Sequence, residues 1–327
     1  MIETLILTYS DIFNLDMKMQ DVMKIVEDVY QAHGLGDYVL PPKVALHPKE
    51  NSFFHSMPGY LPKMGAIGIK WVSGYPENRR KTLPTIIGTI IINDPETGLP
   101  LAIMDGTWIT NMRTGAVTGV GAKYLAKKDS EVIGIIGAGV QGRCNLLALN
   151  ESLKIRKVKV YDISKESMKR YAEEMEKKLG LDIEIVERTE DAVKDSDVVV
   201  TTTSGTSEQL VDTKWLKPGV FGAPVEGEPV WDRRTPYVVD KFIVDNWEQC
   251  THGGQFYSEI VKGNLTREKV YAELGEVVAG KKRGRESNEE RIILWARGMG
   301  TLDIAIALEV YRRASSRNLG FRVKFSQ

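Results

Sequence analysis

The sequence predicts an α/β protein that combines a doubly wound parallel sheet with a second, discontinuous α+β domain, and three patterns support this fold class. Residues 132–245 alternate between strand and helix patterns, which is typical of a parallel sheet covered by helices. Residues 39–104 instead show short β-rich runs separated by turn signals, which favour a mostly antiparallel sheet. A strongly apolar helix is predicted at 302–314, beyond the alternating region, and we expect it to return to the first domain.

The elements of the first domain follow from the spacing of its apolar residues. A helix is predicted over 17–32, and the glycines at 34 and 36 end it. Strands are predicted at 43–46, 52–55, 66–72, 85–92 and 99–104. Residues 93–98 form a predicted hairpin loop, and a helix rich in small residues is predicted over 108–127.

The second domain is predicted from its alternating strand and helix patterns. Its strands are predicted at 132–136, 157–161, 183–186, 197–203, 220–223 and 242–245. Its helices are predicted at 141–152, 165–179 and 189–195, and the chain is expected to be helical after residue 246. The predicted domains are therefore 1–124 with 301–327, and 125–300.

Composition narrows the classes of function. Of 327 residues, 42% are hydrophobic and 27% charged, as in ordinary globular proteins. Lys and Arg together number 44, as do Asp and Glu, so no net charge favours nucleic acid or a membrane surface as a partner. Two cysteines cannot form a disulfide framework, and no segment is apolar enough to span a membrane, so we expect a cytoplasmic protein. The four histidines have no metal-ligand spacing, so no metal site is expected.

A glycine-rich motif follows the strand predicted at 132–136. Residues 137–142 read Gly-Ala-Gly-Val-Gln-Gly, including Val140 and Gln141, and a helix follows. Gly137 permits a tight turn, Gly139 lets a pyrophosphate approach backbone N–H groups at the helix N-terminus, and Gly142 permits close packing of helix on strand. This strand-loop-helix context predicts a dinucleotide-binding Rossmann domain.

Two further strand ends bear on the cofactor. Asp162 ends the second strand, where a carboxylate accepts hydrogen bonds from the ribose hydroxyls of NAD and repels the 2′-phosphate of NADP. The sequence therefore favours NAD over NADP, although Ser164 and Lys165 just beyond Asp162 would tolerate a phosphate. Thr202, Thr203 and Ser204 lie at the end of the fourth strand; they are either ligand contacts or ordinary strand and turn residues.

Ordered segments across the chain resemble the ornithine cyclodeaminase/mu-crystallin family, which includes archaeal-type alanine dehydrogenases and imine reductases. The matching segments are 83–85, 94–98, 111–116, 123–126, 137–141, 252–254, 273–280 and 284–285. The resemblance spans nearly the whole chain. It implies a homodimer formed through the first domain, and a substrate held between that domain and the cofactor.

The resemblance also implies roles for individual residues. Arg113 and Lys70 correspond to the family's ligands for the substrate carboxylate, and Lys43 falls where many members have arginine. His55 falls where cyclodeaminases have glutamate; it is either a substrate contact or a structural histidine. The remaining cofactor contacts that the resemblance implies, besides the glycine motif, are Thr85, Arg113, Thr114, Gln141 and Asp162.

The implied cluster is chemically coherent. The carboxylate of a 2-amino or 2-imino acid must be held rigidly while hydride moves between its Cα and nicotinamide, and an arginine fork with two lysines does this. Lys70 lies inside an otherwise apolar strand, which favours a pocket over a solvated surface. Neighbouring cations lower the pKa of a lysine, so Lys70 is the expected catalytic proton carrier.

Departures from the family pattern distinguish the possible activities. Cyclodeaminases have an acid/base aspartate where this chain has Pro224, and Glu226 or Glu228 would replace it only in a rearranged loop. Arg297 falls in a region that shapes the family's substrate side-chain pocket, and we expect it to select a second carboxylate. The leading hypothesis is an NAD(H)-dependent amino-acid dehydrogenase or imine reductase. An ornithine-type cyclodeaminase with recycled NAD and a non-catalytic, crystallin-like binding protein remain the alternatives.

Overall fold

The computed structural model describes residues 2–206 and 208–326. The chain divides into two compact units, the first formed by Met1–Arg113 with Gly298–Gln327 and the second by Thr114–Arg297. The domain boundaries predicted after residues 124 and 300 lie slightly beyond these divisions and stay a prediction.

The secondary structure of the described residues follows in chain order. The strands are β1 Ile2–Leu7, β2 Val44–Leu46, β3 Phe53–Leu61, β4 Ala66–Gly74, β5 Ile86–Asn93, β6 Pro100–Asp105, β7 Val132–Ile136, β8 Lys157–Tyr161, β9 Asp182–Ile185, β10 Val198–Thr201, β11 Phe221–Pro224, β12 Lys241–Val244, β13 Ala272–Glu273, β14 Ile292–Trp295 and β15 Phe321–Ser326. The α-helices are α1 Tyr9–Phe13, α2 Met19–Leu35, α3 Thr107–Leu125, α4 Val140–Ser152, α5 Lys165–Leu179, α6 Thr189–Val193, α7 Thr235–Val238, α8 Trp247–Cys250, α9 Tyr257–Val261, α10 Leu274–Val278 and α11 Gly300–Ser316.

The first unit contains a sheet with the strand order β15-β1-β6-β5-β4-β3-β2 among the described residues. Its neighbouring strands are antiparallel except for the parallel pair β1 and β6. The predicted antiparallel sheet is therefore confirmed. The sequence patterns do not reveal β1 and β15, which lie near the chain ends and pair with each other and with β6 through tertiary contacts.

Helix α11 covers one face of this sheet. It packs against β3, β4, β5 and α2, so it belongs to the first unit, as the sequence predicts. Glycines permit the close approach: a Cβ added to Gly59 on β3 would lie 2.9 Å from Cγ2 of Thr301, and one added to Gly300 would lie against the carbonyl of Met57. The start of α11 is thereby held directly on the sheet beside β4.

The second unit contains a parallel sheet with the order β13-β12-β14-β11-β10-β7-β8-β9 among the described residues. The predicted doubly wound parallel sheet is confirmed, and its strand order reverses between β7 and β10. The prediction of purely helical structure after residue 246 is wrong, because β14 lies between β11 and β12. Its four consecutive buried apolar residues have no periodicity that would distinguish a strand buried on both faces from a helix.

Candidate functional site

A buried ion pair joins the middle of β4 to the first turn of α11. Lys70 and Asp303 have no exposed side-chain surface, and Lys70 Nζ lies 2.7 Å from Asp303 Oδ1. Nζ of Lys70 also donates a longer hydrogen bond, of 3.4 Å, to Oγ1 of Thr110 on α3. The pair forms because β4 alternates its side chains, so that Lys70 faces α11 together with the buried Val72.

Arg113 and Lys43 complete the cluster in the first unit. Nε of Arg113 donates to the same Oδ1 of Asp303 at 3.2 Å. Nζ of Lys43, which is buried, donates to the carbonyl of Gly298 at 3.2 Å. Gly298 has a φ of +79°, and a Cβ there would lie 2.8 Å from Nη1 of Arg113, so this position favours glycine both by conformation and by space. The predicted trio of cations is therefore brought together around Asp303 and Gly298.

The charges of the cluster favour the binding of an anion and allow one of its lysines to exchange a proton. Lys70 and Arg113 share the single carboxylate of Asp303, so these three groups together carry more positive than negative charge. Burial and the charge of Arg113 lower the pKa of the Lys70 ammonium to about 8, against the opposing effect of Asp303. Lys70 can therefore exchange a proton near neutral pH. Oδ2 of Asp303 is buried and has no hydrogen-bond partner among the described residues.

Asp303 is the member of the cluster that the sequence patterns do not reveal. The signal was present, since Asp303 is the one acidic residue in the apolar run 302–308. The same reasoning, a charge inside an apolar element, identified Lys70.

Two other predicted contacts in the first unit lie at different distances from the cluster. His55 pairs with Val72, the next inward-facing residue after Lys70, so it lies on the same face of the sheet, where its ring stacks on Phe53 at 4.3 Å. Thr85 precedes β5, and its carbonyl accepts a hydrogen bond from the backbone of Tyr75. Since Lys70 pairs with Ile90, Thr85 lies five residues, roughly 16 Å, along the strand from the cluster.

The glycine loop of the second unit has the geometry of a pyrophosphate site. Gly137 has a φ of +110°, and a Cβ there would lie 2.7 Å from Oγ1 of Thr202. Thr202 donates from that oxygen to the carbonyl of Gly137 at 2.9 Å. A Cβ on Gly142 would meet the carbonyl of Gly137, whereas the space around Gly139, which caps α4, is open. The tight turn at Gly137 and the close packing at Gly142 agree with the sequence prediction, and the approach of a pyrophosphate at Gly139 stays a prediction.

The other predicted cofactor residues of the second unit differ in their burial and bonding. Asp162 accepts hydrogen bonds from the backbone N–H groups of Ala138, at 2.8 Å, and Ser164, at 2.9 Å, so its carboxylate is fixed beside the loop. The exposed Val140 and the half-buried Gln141 begin α4, and the half-buried Thr114 lies on α3. Thr203 carries a buried hydroxyl without a hydrogen-bond partner among the described residues, and Ser204 is exposed. The open approach at Gly139 and this unsatisfied hydroxyl fit a bound dinucleotide.

Glu226 lies at the carboxyl edge of the second sheet. It is buried, and its Oε1 accepts a 2.7 Å hydrogen bond from Oγ1 of Thr201 at the end of β10. Burial, together with the charge of Glu228, raises the pKa of the Glu226 carboxyl to about 8. Val225 continues the ladder with Thr201 and carries Glu226 to that edge. Whether Glu226 or Glu228 replaces the aspartate of the cyclodeaminases stays a prediction.

Arg297 follows β14 in the second unit. Its side chain lies against the glycines at 227, 253 and 254, two of which have positive φ. Burial lowers the pKa of its guanidinium, and the charges of Asp245 and Glu228 oppose that shift. Arg297 is thus a partly buried cation beside two acids, and whether it contacts substrate stays a prediction.

Within the described ranges, no group of three or more His, Cys, Asp or Glu side chains is placed to hold a metal ion. No helix in the same part of the chain is long and apolar enough to cross a membrane.

The chain combines a parallel Rossmann sheet and its dinucleotide loop with a buried lysine of lowered pKa. This combination is typical of pyridine-nucleotide-dependent oxidoreductases. The chain belongs to the ornithine cyclodeaminase/mu-crystallin family, whose model matches residues 2–318. It is 40% identical over 327 residues to an alanine dehydrogenase of Archaeoglobus fulgidus, covering 99% of each protein.

Solved structures agree with this assignment. Delta(1)-pyrroline-2-carboxylate reductase of Thermococcus litoralis, in complex with NADH and L-proline, is similar with a TM-score of 0.93 at 37% identity, covering 98% of this chain and 100% of that one. An archaeal alanine dehydrogenase dimer with bound NAD has a TM-score of 0.92 at 39% identity, covering 99% and 100%. These findings confirm the predicted family, fold class and class of enzyme, and relatives of this chain bind the predicted cofactor.

Proposed function

We propose that this protein is an NAD(H)-dependent oxidoreductase that acts on the CH–NH2 or C=N bond of a small amino or imino acid, as an alanine dehydrogenase or an imine reductase does. The observation that carries the proposal is the buried Lys70, which shares its ion-pair partner Asp303 with Arg113 and has a pKa near 8. The alanine dehydrogenase and the imine reductase among its relatives support the same chemistry.

In this proposal, Arg113 and Lys43 hold the substrate carboxylate. Arg113 is partly exposed and keeps donors beyond the Nε that Asp303 uses, so its fork can receive two carboxylate oxygens. Each charge-assisted hydrogen bond contributes about 1.5–3 kcal/mol. Gly298 fixes the geometry, since its carbonyl accepts from Lys43 and its Cα packs on the guanidinium of Arg113. His55, on the same face of the sheet, is proposed as a further substrate contact.

Lys70 is proposed as the proton carrier. NADH, when bound, supplies hydride to the substrate carbon, and NAD removes it in the reverse direction. Protonated Lys70 provides the proton that reduction consumes, and neutral Lys70 accepts the proton that oxidation releases. With a pKa near 8, both forms are available at neutral pH. Asp303 orients the amine and keeps its pKa from falling further.

The cofactor residues are proposed to be the glycine loop at 137–142, Asp162, and the hydroxyls at 202–204, with Thr85, Arg113 and Thr114 as contacts of the nicotinamide half. Asp162 favours NAD over NADP, because its carboxylate accepts from ribose hydroxyls and repels a 2′-phosphate. Arg297 is proposed to select a second carboxylate on the substrate. Equal preference for alanine and a dicarboxylic analogue in the parent and in Arg297→Ala would refute that role.

The protein is also proposed to be a homodimer through the first unit. The sheet face opposite α11 leaves Val44, Leu46, Trp71 and Ile87 exposed, and a cavity of about 480 Å³ on that face is lined by apolar residues such as Ile69. Exposed apolar patches of this kind mark interfaces. Native mass spectrometry of the parent and of Ile87→Glu tests the proposal, which predicts a dimer that the variant weakens. A cytoplasmic location stays a prediction.

A second candidate, an ornithine-type cyclodeaminase, is favoured by one observation: Glu226, two residues after Pro224, is buried, and burial raises its pKa to about 8. A single screen separates the functions. NADH oxidation is measured with 2-oxo acids plus ammonia or methylamine and with cyclic imines, and proline formation is measured from ornithine with catalytic NAD. Stoichiometric NADH consumption supports the proposed function. Proline formation without net NADH would replace it by the cyclodeaminase, and NADH binding without turnover would support a non-catalytic binding protein.

A further inference from the structure

An incompletely bonded carboxyl group lies at the carboxyl edge of the second sheet, and the proposed reaction does not use it. Glu226 is 7% exposed. Its Oε1 accepts from Oγ1 of Thr201, whose oxygen in turn accepts a 2.7 Å hydrogen bond from Nε1 of Trp231. Its Oε2 is buried and has no hydrogen-bond partner among the described residues. A buried polar atom in this state is costly, which points to a ligand as its partner.

The charged groups around Glu226 come from its own loop and from two neighbouring strand ends. Glu228 on the same loop disfavours a second negative charge. Arg297 after β14 lies against Gly227, and its charge is balanced by Asp245 after β12 and by Glu228. Burial and Glu228 raise the pKa of the Glu226 carboxyl to about 8 against the hydrogen bonds it accepts, so pH 7 favours its neutral form and a modest change in its surroundings ionises it.

The sheet order determines which half of a dinucleotide reaches this edge. β8, which Asp162 follows, lies on one side of β7 and its glycine loop, and β10 and β11 lie on the other side. With the pyrophosphate at the loop and the adenine-side ribose at Asp162, the other half extends over the ends of β10 and β11. That half carries the nicotinamide ring, which is positively charged in NAD+ and neutral in NADH.

We propose that Glu226 distinguishes the redox states of the cofactor, keeping its proton beside NADH and releasing it when NAD+ binds. The proposal rests on the proposed function. The step is protein–COOH + NAD+ giving protein–COO⁻·NAD+ + H+; only an O–H bond breaks, and no electron is transferred. A cationic ring beside a carboxyl group favours the ionised form, whereas a neutral ring does not. NAD+ therefore binds more tightly as the pH rises towards 8, and its affinity becomes constant above that pH.

Calorimetric titration of the full-length protein with NAD+ and with NADH, between pH 6 and 9, tests this inference. Each titration is run in two buffers of different ionisation enthalpy, which gives both the Kd and the number of protons released. In the parent, we expect the Kd for NAD+ to fall by up to about tenfold per pH unit below pH 8, with proton release, since one proton is linked. Glu226→Gln keeps the acceptor for Thr201 but carries no proton, so this component of the release is lost.

Glu228→Gln is the matched control, because it removes a carboxylate from the same loop. It should keep the proton release, with the midpoint moved to lower pH as the repulsion of Glu228 is removed. Lys70 is present in every variant and contributes equally to each titration. The test is therefore the difference in the number of protons released between the parent and Glu226→Gln. Equal proton release in those two proteins, or none in the parent, overturns the inference. Failure of the parent to bind NADH at all would instead overturn the proposed function.

Discussion

Replacing Asp303 by Asn removes one negative charge from the buried cluster at nearly constant volume. Oδ1 of Asp303 lies 2.7 Å from Lys70 Nζ and 3.2 Å from Arg113 Nε, so one substitution breaks both ion pairs. Removing one partner of a buried pair costs about 3–5 kcal/mol. Lys70 limits this cost because it can lose its proton: its pKa, about 8 beside Asp303, falls when that carboxylate is removed. Arg113 cannot deprotonate, so we expect the free energy of unfolding to fall by about 3 kcal/mol at pH 7.

The loss depends on pH, and its direction follows from the lowered pKa of Lys70. At pH 9 the amine of Lys70 is already mostly neutral in the parent. Asp303→Asn should therefore lower the free energy of unfolding less at pH 9 than at pH 7. Urea unfolding followed by tryptophan fluorescence measures both values. Glu309→Gln on the same helix is the control: Glu309 is partly exposed and bonds Arg313 at 2.8 Å, so its loss costs less than about 1 kcal/mol. Equal losses at pH 7 and pH 9 for Asp303→Asn would contradict the coupling to Lys70.

The same substitution changes the pH dependence of the reaction. Oxidation requires neutral Lys70, so its kcat should rise through pH 8 in the parent. Without Asp303 nothing raises the pKa of Lys70 against burial and Arg113, so the rise moves to lower pH by at least about one unit. The kcat for amino-acid oxidation between pH 6 and 10 tests this. A rise that stays at pH 8, or moves upward, would refute the positioning role of Asp303.

Three further predictions follow from single contacts. Gly298→Ala should raise the KM of the amino acid about tenfold, because the added Cβ pushes on the guanidinium of Arg113. Gly280→Ala is the control, since Gly280 has a similar φ but open space and shares only the backbone strain. Equal KM values in the two variants would contradict the role of the contact between Gly298 and Arg113. Asp162→Asn should weaken NADH binding about tenfold and raise the NADPH/NADH affinity ratio, and an unchanged ratio in fluorescence titration would contradict its role. The pKa of Glu226 rises from 4.5 to about 8 on folding, so folding at pH 7 takes up a proton. Glu226→Gln should therefore raise the free energy of unfolding by about 3 kcal/mol at pH 7 and by almost nothing near pH 4. Urea unfolding measures both values, and an equal gain at both pH values would contradict the raised pKa.

Local chemistry was predictable where the sequence itself carries the signal. The glycine loop and Asp162 occupy consecutive elements, and Lys70 is conspicuous inside an apolar strand. Asp303 is conspicuous as an acid in an apolar run, but its role escaped prediction because it meets Lys70 only after α11 folds back onto the first sheet. β14 escaped because a short apolar run has no period of its own. In each case the missing information was tertiary: the partner that makes the residue meaningful lies far away in the sequence.

The central claim is that Lys70 carries the proton of an NAD(H)-linked reaction, and Lys70→Met tests it most directly. Lys63→Met, which alters an exposed lysine in the same unit, is the control. Stopped-flow measurement of NADH oxidation, with a 2-oxo acid and ammonia, gives the single-turnover rate, and fluorescence titration gives the Kd of NADH. We expect Lys70→Met to lose at least about a hundredfold in rate with an unchanged Kd, as removal of a general acid implies. A rate in Lys70→Met equal to that of the parent and of Lys63→Met would contradict the claim.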